Sequence, residues 1–165
     1  MNRKSIPVER REGQVLVPER LSLLNQQERH AVLATDGNGR PYTSLIAFAC
    51  TPDMGHILFA TPRRTSKYRN IRKNSHVSLL IDSRSNTERD YLQAEAITIS
   101  GTAAPVRRGK KWQGLVRHLT HKHPDLAEFV SAPTTALMVV EITECFHVGQ
   151  FQIVSRWVPK ASGLP

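Results

Sequence analysis

The residues that could do chemistry are concentrated in a basic segment between two apolar runs. The runs, HILFAT and HVSLLID, have the β-branched and aromatic content of buried strands. Pro62 ends the first run, because its ring fixes φ and it has no N–H to donate to a strand ladder. Thr65 or Ser66 can then cap a helix of about eight residues. The N-terminus of such a helix presents free N–H groups and a positive dipole end, which suit an anion.

Cationic and hydroxyl side chains surround this predicted helix N-terminus and predict a phosphate-binding site there. They are Arg63, Arg64, Thr65, Ser66 and Lys67. Two alternatives stay open, because six of the eleven residues from 63 to 73 are basic and none is acidic. A run of this kind is also typical of a solvated helix face or of a patch that binds nucleic acid.

Apolar runs along the chain predict the strands that must position this segment. The predicted strands are HAVLATD, PYTSLIAFACT, HILFAT, HVSLLIDS, residues 93–106, TALMVVEITECFHVG and FQIVSRW. A tight hairpin is predicted at Gly37-Asn38-Gly39, because these residues accept positive φ. Strands in meander order with inserted helices predict a mainly β fold, an antiparallel split β-barrel of about six to seven strands.

Helical spacing predicts three helices besides the short basic one. The first begins at Pro18, the second spans GKKWQGLVRHLTHKH and the third spans DLAEFVS. In the long strand 93–106, Gly101 predicts a β-bulge or a close approach of another backbone.

The length and net charge of the chain limit the number of domains and the classes of partner that it can have. The 165 residues predict a single domain over 18–158, with an arm at 1–17 and a tail at 159–165. There is no apolar run of about 18 residues and the first residues are polar, which predicts a cytoplasmic protein without a membrane span. The net charge of +9 suits nucleic acid, but 6% aromatic content and the absence of helix-turn-helix or zinc spacing make nucleic acid an unlikely partner.

The cysteines and histidines are predicted to be structural. Cys50 and Cys145 lie in apolar strands and are expected to be buried free thiols rather than a disulfide. His118 and His121 share a helix face, but His123 lies off it and no carboxylate or cysteine completes a metal site. No Ser-His-acid, P-loop or Rossmann glycine pattern is present, so no catalytic residue is assigned.

Three segments together resemble the pyridoxamine 5′-phosphate oxidase-like, FMN-binding split-barrel family. They are HAVLATDGNGRPYTSLIAF, ILFATPRRTSKYRNIRKNSHVSLLID and AITISGTAAPV. In that family a strand ending in Thr leads into a turn that holds the FMN phosphate at the start of a helix. The resemblance implies that Lys67 matches the family's lysine and that the other phosphate-site positions are Thr61, Arg63, Arg64, Thr65 and Ser66. It leaves open which of the two arginines points inward.

The same resemblance implies a homodimer, because FMN in this family lies in a groove between two barrels. The strand around Ser44, Leu45 and Ile46 would flank the isoalloxazine ring. Arg84 and Ser85, in a polar loop, would reach the cofactor across the dimer interface. Without the resemblance, these residues are ordinary strand alternation and ordinary loop. Deazaflavin, which related split barrels hold in the same groove, is the alternative cofactor.

Differences from the vitamin B6 oxidases of that family bear on the substrate. Ser44 stands where those enzymes carry arginine, and His147 stands where they carry tryptophan. The stretch GQFQIVSRW lacks their arginine-histidine pair, and FHVGQF is similar to the haem-utilisation branch of the superfamily. These differences argue against pyridoxamine phosphate as the substrate.

The sequence therefore predicts an FMN-binding flavoprotein, an oxidoreductase of an unidentified small molecule. The alternatives are a non-enzymatic flavin or deazaflavin carrier or sensor, and a basic nucleic-acid-binding module. In the oxidoreductase, the cofactor would carry the chemistry and the protein would supply binding and electrostatics.

Overall fold

The computed structural model describes residues 6, 8–160 and 163–164. Residues 1–5 and 7 of the predicted arm lie outside the described residues, as do residues 161, 162 and 165 of the predicted tail.

Strands and helices alternate along the described residues much as the sequence predicts. The strands are β1 Arg11–Glu12, β2 His30–Asp36, β3 Pro41–Cys50, β4 His56–Pro62, β5 His76–Asp82, β6 Glu95–Pro105, β7 Thr135–Gly149 and β8 Ile153–Trp157. The helices are α1 Val17–Gln27, α2 Ser66–Lys73, α3 Asp90–Gln93, α4 Lys110–Lys122 and α5 Ala127–Ser131, and a 3-10 turn spans Pro124–Leu126. The sequence does not predict β1 or α3, and the helix predicted over DLAEFVS begins with the 3-10 turn.

Six of the strands close into an antiparallel barrel. Their order is β7-β4-β3-β2-β5-β6, and β6 pairs back onto β7. Strand β8 extends the sheet beyond β7, and β1 pairs with β8 in parallel. The predicted mainly β fold and split barrel are confirmed. Closure gives each of these six strands a partner on both sides, so none of them presents a free edge that could pair with another chain.

Two clusters of apolar side chains hold the helices on the barrel. The interior cluster includes Phe48, Phe59 and Ile97, and it takes in Leu21 of α1 and Ile71 of α2. The second cluster packs α4 and α5 on the outside of the barrel through Ala49, Leu58, Leu115, Leu119, Val130 and Leu137. Helix α2 is thereby packed against the barrel core, with its N-terminus next to the end of β4.

The hairpin between β2 and β3 positions α2. Asn38 and Gly39 have φ of 57° and 79°, and Asp36 accepts a hydrogen bond from the Gly39 N–H at 2.7 Å, which confirms the predicted tight hairpin. Asn70 of α2 donates from Nδ2 to Oγ1 of Thr35 at 3.0 Å. This bond ties the middle of α2 to β2.

Gly101 lies where β6 approaches β7 most closely. The register of the two strands shifts between Ser100 and Gly101. A Cβ atom at Gly101 would lie 2.4 Å from the carbonyl oxygen of Glu141 and 2.7 Å from Cγ1 of Val140. The predicted close backbone approach is confirmed, and the irregularity places the extra residue, Thr143, in β7 opposite Gly101.

Both cysteines are buried free thiols, as the sequence predicts. Burial raises the pKa of Cys50 to about 12 and that of Cys145 to about 12. Because the thiolate is the reactive form, neither thiol is activated at neutral pH.

We expect neither cysteine of the native protein to react with Ellman's reagent at pH 8. Both should react once guanidinium chloride unfolds the chain, because unfolding restores solvent access and an ordinary thiol pKa. The absorbance of released thionitrobenzoate measures this directly. Rapid reaction of one thiol in the native protein would contradict the packing around it.

None of the helices in the described part of the chain combines the length and apolar character needed to cross a membrane.

Candidate functional site

A chain of hydroxyl hydrogen bonds shapes the turn between β4 and α2. Thr61 is buried, and its Oγ1 lies 2.9 Å from Oγ1 of Thr65. Thr65 caps α2, because its Oγ1 accepts from the Tyr68 N–H at 3.4 Å, and it donates to the carbonyl of Pro62 at 2.9 Å. Since Thr65 uses its proton on Pro62, Thr61 must donate to Thr65. Both hydroxyls therefore fix the turn, and the predicted cap is confirmed.

The first turn of α2 leaves several donors without an acceptor among the described residues. The backbone N–H groups of Ser66 and Lys67 make no hydrogen bond there. Ser66 Oγ accepts from Arg69 Nη2 at 3.2 Å, so its own proton is free to donate. Lys67 is half-buried, and its ammonium group pairs with no described side chain. No acidic residue lies in this turn. Free donors and positive charge at a helix N-terminus are the chemistry of phosphate binding.

The two arginines before the cap have different environments. Arg63 donates from Nη1 to the Tyr68 hydroxyl at 3.0 Å, and its guanidinium carbon lies 5.8 Å from the centre of the Tyr68 ring. Arg64 is exposed, and its guanidinium bonds to no described residue, although its carbonyl accepts from Arg69. Arg64 is therefore the arginine that can turn toward an anion without breaking an existing contact.

The residues of β3 that the resemblance places beside a flavin alternate between two faces. Ile46 belongs to the core, and Ser44 pairs with buried Leu33, with its Oγ buried and without a hydrogen-bond partner. Leu45 points outward and is 64% exposed. It pairs with Val32 of β2, which pairs in turn with Leu80 of β5. We call Leu45, Val32 and Leu80 the apolar strip.

The apolar strip lines a cavity of about 430 Å³ that also contains Asp82 and Arg84 at the end of β5. Arg84 Nε lies 3.0 Å from Oδ1 of Asp82. The structure thus brings Leu45 and Arg84 together. Ser85 has another role, because its hydroxyl donates to Asp90 Oδ1 at 2.7 Å and its N–H to the same carboxylate. These bonds fold the loop into α3 and lower the pKa of Asp90.

Eight of the predicted site residues therefore form two groups in a single chain, whereas Ser44 and Ile46 face the barrel interior and Ser85 holds the loop before α3. One group is the turn at residues 61–67, and the other is the apolar strip with Arg84. None of the described residues that line the 430 Å³ cavity belongs to the turn. Each group presents half of what a phosphate-bearing aromatic ligand needs: cationic donors in one, an apolar surface in the other.

A partly buried carboxylate that sequence reasoning missed joins three elements. Glu95 of β6 accepts hydrogen bonds from Nε of Arg20 in α1 at 2.9 Å and from Nε2 of His147 in β7 at 2.7 Å. Burial favours a raised pKa for Glu95, but the hydrogen bonds and charges of Arg20 and His147 outweigh it and hold the pKa below its ordinary value. The only signal in the sequence is that Glu95 lies two residues before Ile97 in the same strand, so both side chains lie on the inward face of β6.

We expect Glu95→Gln to be less stable than wild type at pH 7 by about 1–2 kcal/mol, because Arg20 and His147 lose a charged acceptor. The folded-state pKa of Glu95 is lowered, so its contribution is present above the unfolded-state pKa and is lost as pH falls through the folded-state pKa. Wild type should therefore lose free energy of unfolding more steeply than the variant below about pH 4.3. Urea titrations from pH 7 to pH 3 measure both curves, and parallel curves would contradict the role of Glu95.

Two of the three clustered histidines hold α4 and the residue after it against β3. His118 Nε2 lies 2.6 Å from the carbonyl oxygen of Cys50, and His123 Nε2 lies 2.8 Å from that of Phe48. His121 lies in the last turn of α4. Among the described residues, no group of three or more His, Cys, Asp or Glu side chains is placed to hold a metal ion.

Solved structures share this fold at low sequence identity. The heme binding protein from Mycobacterium smegmatis is 13% identical with a TM-score of 0.77, over 89% of this chain and 60% of that one. HutZ, the heme storage protein from Vibrio cholerae, is 17% identical with a TM-score of 0.65, over 75% and 88%. A FAD-binding protein from Mesorhizobium loti is 15% identical with a TM-score of 0.62, over 78% and 90%. At these identities the similarity shows the fold alone.

Sequence comparison gives the family. No curated protein sequence matches this chain. A sequence model described as pyridoxamine 5′-phosphate oxidase matches residues 17–149, from the start of α1 to the end of β7. The matched segment includes all six barrel strands, the α2 turn and the apolar strip. The chain therefore belongs to the pyridoxamine 5′-phosphate oxidase family.

Proposed function

We propose that this chain binds FMN in a homodimer and is an oxidoreductase that acts on a small molecule. The observation that carries the proposal is the first turn of α2. Its backbone N–H groups at Ser66 and Lys67, the Ser66 hydroxyl and the Lys67 ammonium are donors without acceptors among the described residues. A phosphate monoester carries two negative charges near neutral pH and several acceptor oxygens, so it satisfies this group of donors.

The apolar strip supports the flavin half of the proposal. An isoalloxazine ring is flat and largely apolar on its faces, and Leu45 offers it an exposed aliphatic surface. Because the strip and the α2 turn are separate groups in one chain, a second copy would bring the strip and Arg84 of one subunit to the α2 turn of the other. An exposed apolar surface is also what a homodimer interface buries.

The flavin, when bound, supplies hydride and electron transfer. The chain's own residues bind the phosphate, position the ring and keep water from its apolar side. We propose a substrate other than pyridoxamine phosphate, because Ser44 and His147 stand where the vitamin B6 oxidases carry arginine and tryptophan. Neither residue is exposed. Two free thiols are consistent with a cytoplasmic setting.

The test is the visible spectrum of the purified protein, with and without added FMN. We expect a yellow protein that retains about one FMN per chain, and bleaching of the flavin bands by NADH or NADPH. Bleaching would separate an oxidoreductase from a passive carrier. Colourless protein that does not take up FMN would contradict the proposal. A Soret band after addition of haem, with no flavin uptake, would favour the function named for the heme-binding structural relatives.

The salt dependence of the binding affinity distinguishes nucleic acid binding from cofactor binding. Contacts to many phosphates make affinity fall steeply with salt concentration, whereas a single phosphate gives a shallow dependence. Titration of FMN and of an RNA oligonucleotide at two salt concentrations measures both slopes. We expect the protein to retain FMN at the higher salt and to release the RNA.

A further inference from the structure

A cavity of about 690 Å³ lies between α4 and the residues that follow β3, outside the proposed flavin site. Its inner wall is apolar and includes Pro52 and Leu115. Leu115 is nearly buried and belongs to the cluster that packs α4 on the barrel. Leu115 therefore anchors the floor of the cavity in the packed part of the fold, while Pro52 is exposed at its edge.

The rim of this cavity is cationic. Lys110 and Arg117 are exposed, and neither forms an ion pair within the described residues. Lys111 donates from Nζ to the carbonyl of Leu164 at 2.8 Å, which leaves its charge without a counterion there. Among the described residues that line the cavity, none is acidic. Three like charges around one cavity repel one another, and an anion would relieve that repulsion.

Gly114 lies in the middle of α4 on the same side as these cations. A glycine inside a helix costs about 1 kcal/mol relative to alanine. No close contact explains it, because a Cβ built at Gly114 would have no described atom within 4 Å apart from its chain neighbours and the nearby backbone of α4. Gly114 is four residues after Lys110 and three before Arg117, so the three share one helix face. Because glycine has no side chain, the wall of the cavity has open space at this position, between Lys110 and Arg117.

We propose that this cavity binds a small amphiphilic anion, a carboxylate with a hydrocarbon body. The carboxylate would contact Lys110 or Arg117, and the hydrocarbon would cross the space at Gly114 to lie against Leu115 and Pro52. The charge of the rim and the apolar floor select this class over neutral hydrocarbons and over compact inorganic anions. The site does not involve α2 or the apolar strip, so it stands or falls independently of FMN binding.

Calorimetric titration of the full chain with octanoate tests the proposal, with 1-octanol as the uncharged probe of the same length. We expect octanoate to bind and 1-octanol to bind at least fivefold more weakly, as about one lost charge contact predicts. Gly114→Leu should weaken octanoate binding about tenfold or more, because the side chain occupies the cavity. Its melting temperature should not fall, since leucine favours helix and a Cβ at this position has open space around it.

A second variant tests the charge separately. Lys110→Gln with Arg117→Gln should weaken octanoate binding about two- to thirtyfold and leave 1-octanol unaffected. Lys73→Gln, an exposed cation at the end of α2, is the matched control and should change nothing. The proposal is overturned if wild type does not bind octanoate, if 1-octanol binds equally well, or if Gly114→Leu binds like wild type. Binding to phosphatidylglycerol vesicles that Gly114→Leu leaves unchanged would also overturn it in favour of a membrane-binding surface.

Discussion

Replacing Lys67 with alanine is expected to weaken FMN binding by about tenfold to more than a hundredfold. Lys67 is half-buried at the start of α2 and its ammonium group has no partner among the described residues, so a phosphate dianion would be its counterion. Loss of one charge-assisted contact costs about 1.5–3 kcal/mol, which corresponds to that range of affinity. Quenching of FMN fluorescence at fixed salt measures it. The fold should survive, because alanine favours helix.

Lys73→Ala is the matched control for this experiment. Lys73 is the last residue of the same helix and is exposed. It therefore adds to the overall positive electrostatic potential of the helix but makes no contact at the phosphate site in the first turn. Riboflavin lacks the phosphate and should bind wild type and both variants with the same weak affinity. Small, equal effects at positions 67 and 73 would show that the basic helix is only a solvated face, and the phosphate-site proposal would be wrong.

Replacing Gly101 with alanine is expected to lower the free energy of unfolding by about 2–3 kcal/mol. The added Cβ would lie 2.4 Å from the carbonyl oxygen of Glu141, a backbone atom that cannot move without separating β6 from β7. A domain of this length should then melt roughly 4–12 °C lower, which calorimetry measures.

Gly114→Ala is the contrasting control for Gly101→Ala. Apart from its chain neighbours and the nearby backbone of α4, no described atom lies within 4 Å of a Cβ at Gly114, so the only expected effect is the helix preference of alanine. That variant should be more stable than wild type by up to about 1 kcal/mol. If both alanine variants melted like wild type, the close approach of β6 and β7 at Gly101 would be contradicted.

Local patterns in the sequence predicted most of the barrel and the shape of the α2 turn. Strand β7 occupies the whole predicted run TALMVVEITECFHVG, because its first residues are buried and mostly apolar and its later residues alternate between the interior and solvent. Thr65 could be predicted as a cap and Gly101 as a close backbone approach, because each depends on the properties of one residue type. The fold was therefore accessible from periodicity and from a few special positions.

Contacts between distant segments could not be predicted in this way. Glu95 is 75 residues from Arg20 and 52 from His147, and no local pattern marks them as partners. Helix α3 depends on the Asp90 carboxylate, which accepts hydrogen bonds from Ser85 and Asn86 across a polar loop. The separation of the α2 turn from the apolar strip likewise results from closure of the barrel. Nothing in the local sequence of either group predicts it.

The position of β7 in the barrel sets the order in which the chain can complete its fold during synthesis. Strand β4 has β3 on one side and only β7 on the other, and β6 likewise has only β5 and β7. The first residue of β7 comes more than seventy residues after the last residue of β4. Until β7 leaves the ribosome, β4 and β6 present open edges, and β4 consists largely of apolar residues that are buried in the finished barrel. The nascent chain is therefore most exposed to aggregation in that interval, and chaperone binding should be concentrated there.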